Sequence, residues 1–145
     1  MPRDRQALER LLPHRGAMCL LDSVASWDDA KIECRASSHR DTANPLRLDG
    51  RLPAVVAVEY AAQAMAVHGG LRAPSGQDAP PGYLVAIRDA RLHVATLEQI
   101  TAELEISATC QVADANGLVY AFRVQAAGRP VADGRATVVL LSNGQ

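Results

Sequence analysis

The sequence predicts an α+β fold in which an antiparallel sheet of about five to six strands wraps one long central helix, at about residues 53–68. Three observations predict it. The stretch PAVVAVEYAAQAMAVH, from Pro53 to His68, is apolar on nearly every side, as a helix wrapped by other elements must be. Most of the chain after it reads as strands separated by turn residues at meander spacing. The segment before it reads as a hairpin with one covered face, followed by a turn-rich crossover.

In chain order, residues 3–12 place Leu8, Leu11 and Leu12 on one side and charges on the other, which predicts a short amphipathic helix ended by Pro13. Residues 14–18 read as a loop. CLLDSVASW (19–27) and AKIECRASS (30–38) read as strands joined at Asp28-Asp29, with Ile32, Cys34 and Ala36 alternating with Lys31, Glu33 and Arg35. Residues 39–50 form the crossover. Pro53 suits a first helical turn, where no N–H partner is needed, and Gly69-Gly70 predicts the stop. Residues 71–82 form a loop rich in proline. Strands follow at 83–94, 99–113, 117–128 and 129–141, with an Asn116-Gly117 turn expected at positive φ and a second turn at 128–130. No linker divides the chain, so one domain spanning 1–145 is expected. A curled sheet covers its helix on one side only, and a second copy related by two-fold symmetry is the natural cover.

Composition narrows the function. A net charge of −1 gives no nucleic-acid surface or polybasic membrane patch. The central helix is too short to span a bilayer, and the N-terminal residues lack the apolar run of a signal peptide, so a cytoplasmic protein is expected. Cys19, Cys34 and Cys110 are scattered, which predicts reduced thiols rather than a disulfide framework or a zinc site. No GxGxxG, P-loop or GxSxG motif occurs, and the four histidines lie too far apart to read as metal ligands.

Within the central helix, Glu59 and Gln63 lie four residues apart and share a face. A carboxyl group in apolar surroundings tends to hold its proton, the condition a general acid needs. A narrow wet stripe or a hydrogen-bonded partner contact explains the same spacing.

Two stretches carry a resemblance. Leu11-Leu12-Pro13-His14-Arg15 with Met18-Cys19-Leu20-Leu21-Asp22 is similar to the LPHR...LLD opening, and PAVVAVEYAAQ (53–63) to the PGVLxxEAxAQ helix, of the hotdog-fold 3-hydroxyacyl-acyl-carrier-protein dehydratases and their aryl polyene cluster relatives. The resemblance implies loss of water from a 3-hydroxyacyl thioester to give a trans-2-enoyl product. It implies Glu59 as acid, an Ala54 backbone N–H at the Pro53-led helix start polarising the thioester carbonyl, and Gln63 orienting the carboxyl group. It implies no metal and no cofactor beyond the phosphopantetheine that carries the substrate. The partners it implies are acyl carrier protein or a coenzyme A thioester, and a homodimer, a higher oligomer or a hetero-oligomer with a paralogous dehydratase.

The family's GHFPxxP histidine is absent: the corresponding run is NPLRLDGRLP, where Asn44, a candidate substrate contact, and Pro45 fall at the missing motif and neither can act as a base. His14, in the family-like stretch, is the first candidate base and His39 the second, while His68 at the helix end and His93 in a strand read as structural. Arg40, Arg47, Arg51 and Arg72 flank the helix and are candidates to meet a phosphopantetheine phosphate or an acidic carrier, or are solvated surface charge. A thioesterase using Glu59 to activate water, and a non-catalytic carrier-binding or partner subunit, are the rival readings. The acyl tail is expected in a tunnel beside Glu59.

Overall fold

The computed structural model describes Leu8, residues 18–73 and residues 82–140. Strands β1 (Ser23–Trp27), β2 (Lys31–Ala36), β3 (Gly82–Leu92), β4 (Leu104–Ala113), β5 (Gly117–Ala126) and β6 (Arg129–Leu140) form one six-stranded sheet. Their order is β1-β2-β4-β5-β6-β3, and every neighbouring pair is antiparallel. Helix α1 (Ala57–Arg72) falls between β2 and β3 in sequence and packs on one face of the sheet. This is the predicted architecture.

The hairpin forms where the residues ask for it. Asp28 accepts from the Ala30 and Lys31 amides through Oδ1 at 2.8 and 2.9 Å, closing the β1–β2 turn as an Asx turn. Ile32, Cys34 and Ala36 are buried, while Lys31, Glu33 and Arg35 alternate to the other face. Strand β1 starts four residues later than predicted: Cys19–Leu21 are buried but irregular, because the Leu20 amide bonds to the Gln63 side chain instead of a strand. Leu8 is helical and fully buried; the rest of the predicted 3–12 helix lies outside the described residues.

The central helix differs at both ends from its sequence reading. It opens as a 3-10 turn, Ala54–Val56, behind Pro53. It then runs through Gly69-Gly70 to Arg72 and stops at Ala73, whose ψ of 143° is extended. Ala73 precedes Pro74, and that ring disfavours helical backbone in the residue before it. The two glycines cost about 1 kcal/mol each relative to alanine but do not end a helix whose neighbours His68 and Leu71 pack on the core.

Tyr60, Ala61, Ala64, Met65 and Val67 of α1 bury against Ile32, Cys34, Leu104, Ile106, Ala108, Phe122 and Val124 of the sheet. The sheath is not complete. Val55 is 59% exposed, Ala66 is exposed, and Glu59 and Ala62 are half-buried, so one stripe of the helix is left without cover.

The turns exchange roles relative to the prediction. At 114–117 neither Asn116 nor Gly117 has positive φ; the Asp114 carboxylate closes the turn by accepting from their amides at 2.8 and 3.1 Å. The left-handed turn is Ala127-Gly128, at φ 50° and 78°. Gly117 is needed for a different reason: a Cβ there would collide with the Val138 carbonyl oxygen on β6. Gly117→Ala is therefore expected to lower stability by about 1–3 kcal/mol, read as a lower denaturant midpoint.

Candidate active site

The irregular residues between β3 and β4 build the entrance to α1. Leu97 N donates to Leu52 O at 2.8 Å, Ala54 N to Ala95 O at 3.1 Å, and Leu52 N to Glu98 Oε1 at 2.6 Å. This short pairing explains why the predicted 83–94 and 99–113 strands are trimmed. It also reassigns a group: the Ala54 N–H expected at the thioester carbonyl is taken by Ala95 O. The next amide, Val55 N–H, makes no backbone hydrogen bond among the described residues, and it lies at the positive end of the helix beside an exposed side chain. Pro53 sets this geometry by bridging to Thr96 and accepting from Val56 N.

Glu59 follows one turn later, on the same partly open stripe as Val55. It is half-buried, not sheathed in apolar side chains as the sequence suggested. Gln63, fully buried, donates from Nε2 to Met18 O at 2.7 Å and accepts from Leu20 N at 2.9 Å. Its amide thus clamps the 18–20 segment to the helix, and this replaces the expected role of orienting Glu59.

Asn44 is also committed to structure rather than to substrate. Its Nδ2 donates to Ser38 O at 2.9 Å and its Oδ1 accepts from Leu46 N at 2.9 Å, so it holds the crossover closed. Beside it, Ser38 Oγ donates to Leu20 O at 2.8 Å, which leaves Tyr60 to donate its hydroxyl proton to Ser38 Oγ at 2.7 Å. Burial raises the Tyr60 pKa, against the opposing Ser38 and Asn44 contacts. Tyr60 and Ser38 escaped sequence reading because a helix tyrosine and a loop serine far apart in the chain carry no shared pattern.

His14 lies outside the described residues. His39 is fully buried with Nε2 on Ile100 O at 3.0 Å, while its Nδ1 finds no partner. Burial lowers its pKa; the Ile100 and Ala102 backbone oppose this, the latter from outside hydrogen-bond geometry. A ring so enclosed is a core residue and a poor second candidate for the base. His68, read as structural at the helix end, points inward between Asp28 O at 2.7 Å and the Tyr120 hydroxyl at 2.6 Å. His93 bonds Asp133 at 2.8 Å on the exposed side of the sheet.

The arginines that flank the helix divide similarly. Arg40 donates to Thr101 O at 3.0 Å, and Arg47 to Gly50 O at 2.8 Å and His39 O at 3.2 Å, so both strap the crossover. The strap stabilises a two-residue turn in which Asp49 and Gly50 both have positive φ, closed by reciprocal Leu48–Arg51 bonds of 2.7 and 3.0 Å. Leu48 projects from it 69% exposed, and Arg51 is exposed. Arg72 lies beside Tyr120 and His68.

None of the three cysteines is joined in a disulfide among the described residues, and burial, aided by Glu33, pushes Cys34 up to about 12. Among the described residues no cluster of three metal-ligating side chains exists, and no helix is long and apolar enough to cross a membrane. A concavity of about 710 Å3 lies on the sheet face turned away from α1, not beside Glu59. What the helix entrance offers chemically is a carboxyl group and an unbonded N–H on one open stripe, suited to proton transfer next to a polarised carbonyl.

The sequence model of the ApeP-like family, described as ApeP dehydratase, matches residues 6–144. No curated protein matches the chain. Among solved structures, the chain is similar to the dehydratase heterocomplex ApeI:P from Xenorhabdus doucetiae, with 26% identity over 94% of this chain and 91% of that one, at a TM-score of 0.78. A thioesterase from Haemophilus influenzae shares the fold at a TM-score of 0.68, with 17% identity over 97% and 92% of the two chains. AziG from S. sahachiroi does so at 0.66, with 17% identity over 91% and 98%.

Proposed function

Since the chain belongs to the ApeP-like dehydratase family, and is thereby a lyase-type enzyme, we propose that it dehydrates 3-hydroxyacyl groups held as thioesters on acyl carrier protein, in polyene-type biosynthesis. The observation that carries this reading is the placement of Glu59 and the Val55 N–H on one uncovered stripe at the start of α1. A base removes the proton on the α carbon, and the charge that develops on the thioester oxygen is met by the Val55 N–H and the helix dipole. Glu59, in its acid form, gives its proton to the departing β hydroxyl. The C–O bond breaks, the α,β double bond forms, and water leaves.

His14 is the proposed base, because the other three histidines are occupied by Ile100, by Asp28 with Tyr120, and by Asp133. The open helix stripe supplies one wall of an acyl tunnel, and a second subunit supplies the other. The ApeI:P complex is a pairing of two dehydratase chains, which supports a hetero-oligomer with a paralogous dehydratase here. Strand β3 is the site proposed for that pairing: it is an edge strand and exposes Leu84 (41%) and Val85 (57%).

Enoyl-thioester formation from a 3-hydroxyacyl carrier substrate tests the reading, with the chain alone and mixed with the paralogous subunit. His14→Ala is expected to lower the rate by about 10²-fold or more in the assembly that is active. An unchanged rate removes His14 from the reaction, and thiol release without enoyl product replaces the dehydratase by a thioesterase.

A further inference from the structure

The sheet face turned away from α1 carries an organised set of arginines. Cross-strand register sets Ser107, Arg123, Asp133 and Arg91 side by side across β4, β5, β6 and β3. The adjacent row sets Thr109, Ala121, Arg135 and Arg88 side by side. Arg88 and Arg91 are an odd number of residues apart, so in a regular strand they would face opposite sides. The register shift between them is a bulge, with Asp89 at a φ of 55°, and it turns both to the outer face.

The bulge is fitted to its neighbour. A Cβ at Gly134 would stand 3.2 Å from the Ala90 Cα and 3.0 Å from the Phe122 ring, so β6 is glycine where the bulged strand presses on it. Left-handed backbone at a non-glycine residue costs about 1–2 kcal/mol. Arg88 directly opposite Arg135 adds like-charge repulsion. Asp133 sits opposite both Arg123 and Arg91, yet its Oδ2 is bonded to His93 at 2.8 Å. None of the four arginines makes an ion pair among the described residues. The fold gains nothing visible from this arrangement, whereas an anionic partner would.

We propose that this face docks an acidic protein surface, that of the carrier delivering the acyl chain; the identity of the partner rests on the dehydratase reading. Two observations favour a protein over a small anion. The 710 Å3 concavity is open and floored by Ser107 and Thr109, unlike the enclosed, largely apolar sites of small ligands. From β4 to β3 it spans about 14 Å, three strand spacings, which carboxylates spread over a protein surface match and one phosphate does not. The arginines nearer the helix are less available, since Arg40 and Arg47 are bonded to backbone carbonyls.

The test is titration of the protein, alone and with its paralogous subunit, with apo acyl carrier protein and separately with inorganic pyrophosphate. Arg123→Glu/Arg135→Glu is expected to weaken carrier binding about tenfold or more and to flatten its salt dependence. The milder Arg123→Gln/Arg135→Gln is expected to weaken it less, and circular dichroism checks that both remain folded. Turnover of a carrier-borne substrate then shows a raised KM, while the same acyl group on free pantetheine is processed as by wild type. Unchanged carrier binding in both variants overturns the proposal. So does loss of binding in Arg51→Glu with the double variants intact, or arginine-dependent binding of pyrophosphate without binding of the carrier. The apo carrier bears no acyl group, so the titration decides docking even if no enoyl product ever forms, an outcome that would count against the dehydratase reading alone.

Discussion

Glu59→Gln is expected to reduce enoyl-thioester formation by about 10²–10⁴-fold, the usual contribution of a positioned acid or base. Glutamine has nearly the same shape and keeps hydrogen-bonding capacity, but it has no proton to give the leaving hydroxyl. Glu59 is half-buried on a stripe that the sheet does not cover, so the isosteric substitution disturbs little packing, and an unfolding curve checks that the variant is folded under the assay conditions. The loss should fall on kcat with KM little changed, because the proton is delivered in the transition state and not on binding. Single-turnover conversion in the active assembly measures it. Equal rates for wild type and variant would take Glu59 out of the chemistry and leave its place on the stripe without a catalytic meaning.

His68→Leu is expected to lower stability by about 1–3 kcal/mol, because it removes the hydrogen bonds to the Asp28 carbonyl and to the buried Tyr120 hydroxyl, which keeps only Arg72 beside it. The Asp28 carbonyl can only accept, so Nε2 of His68 carries the proton that it donates there at 2.7 Å. Nδ1 then accepts from the Tyr120 hydroxyl at 2.6 Å. One neutral ring thereby ties the β1–β2 turn and β5 to the far end of α1. Burial, with Cys110 contributing, pushes the Tyr120 hydroxyl up to about 12, so it stays a donor across the physiological range. Chemical denaturation at pH 8 reads the loss as a lower midpoint at unchanged slope.

The same clamp fixes the sign of the pH dependence. Burial lowers the pKa of His68, and also of His39, below the ordinary 6.5. In acid the unfolded chain therefore binds protons that the folded protein refuses, and stability falls as pH drops below about 6.5. The limiting slope is about 1.4 kcal/mol per pH unit for each histidine. His68→Leu removes one of the two contributions, so its stability should decline less steeply between pH 6.5 and pH 5 than that of wild type. A parallel or steeper decline would mean that His68 is not held neutral.

Local patterning determined the architecture. A stretch apolar on all sides needs a wrapping, and alternating residues such as Ile32, Cys34 and Ala36 make strands whatever surrounds them, so the helix and its sheet were legible before any coordinates. Glu59 stood out for the same reason, as a carboxyl group within that stretch. What the sequence could not decide was which polar groups remain free once the chain has folded. Ala54 loses its N–H to Ala95, Gln63 is taken by Met18 and Leu20, and Asn44 by Ser38 and Leu46, all through backbone groups whose positions no residue type announces. Gly69-Gly70 failed as a stop because packing on the core outweighs their weak preference, and the rule before proline ended the helix later. The arginine face was equally hidden, since it depends on a one-residue bulge at Asp89 that shifts the phase of a strand. Propensity and period are local properties and survive in the sequence; hydrogen-bond partners and strand phase are settled between distant segments, and only the tertiary structure fixes them.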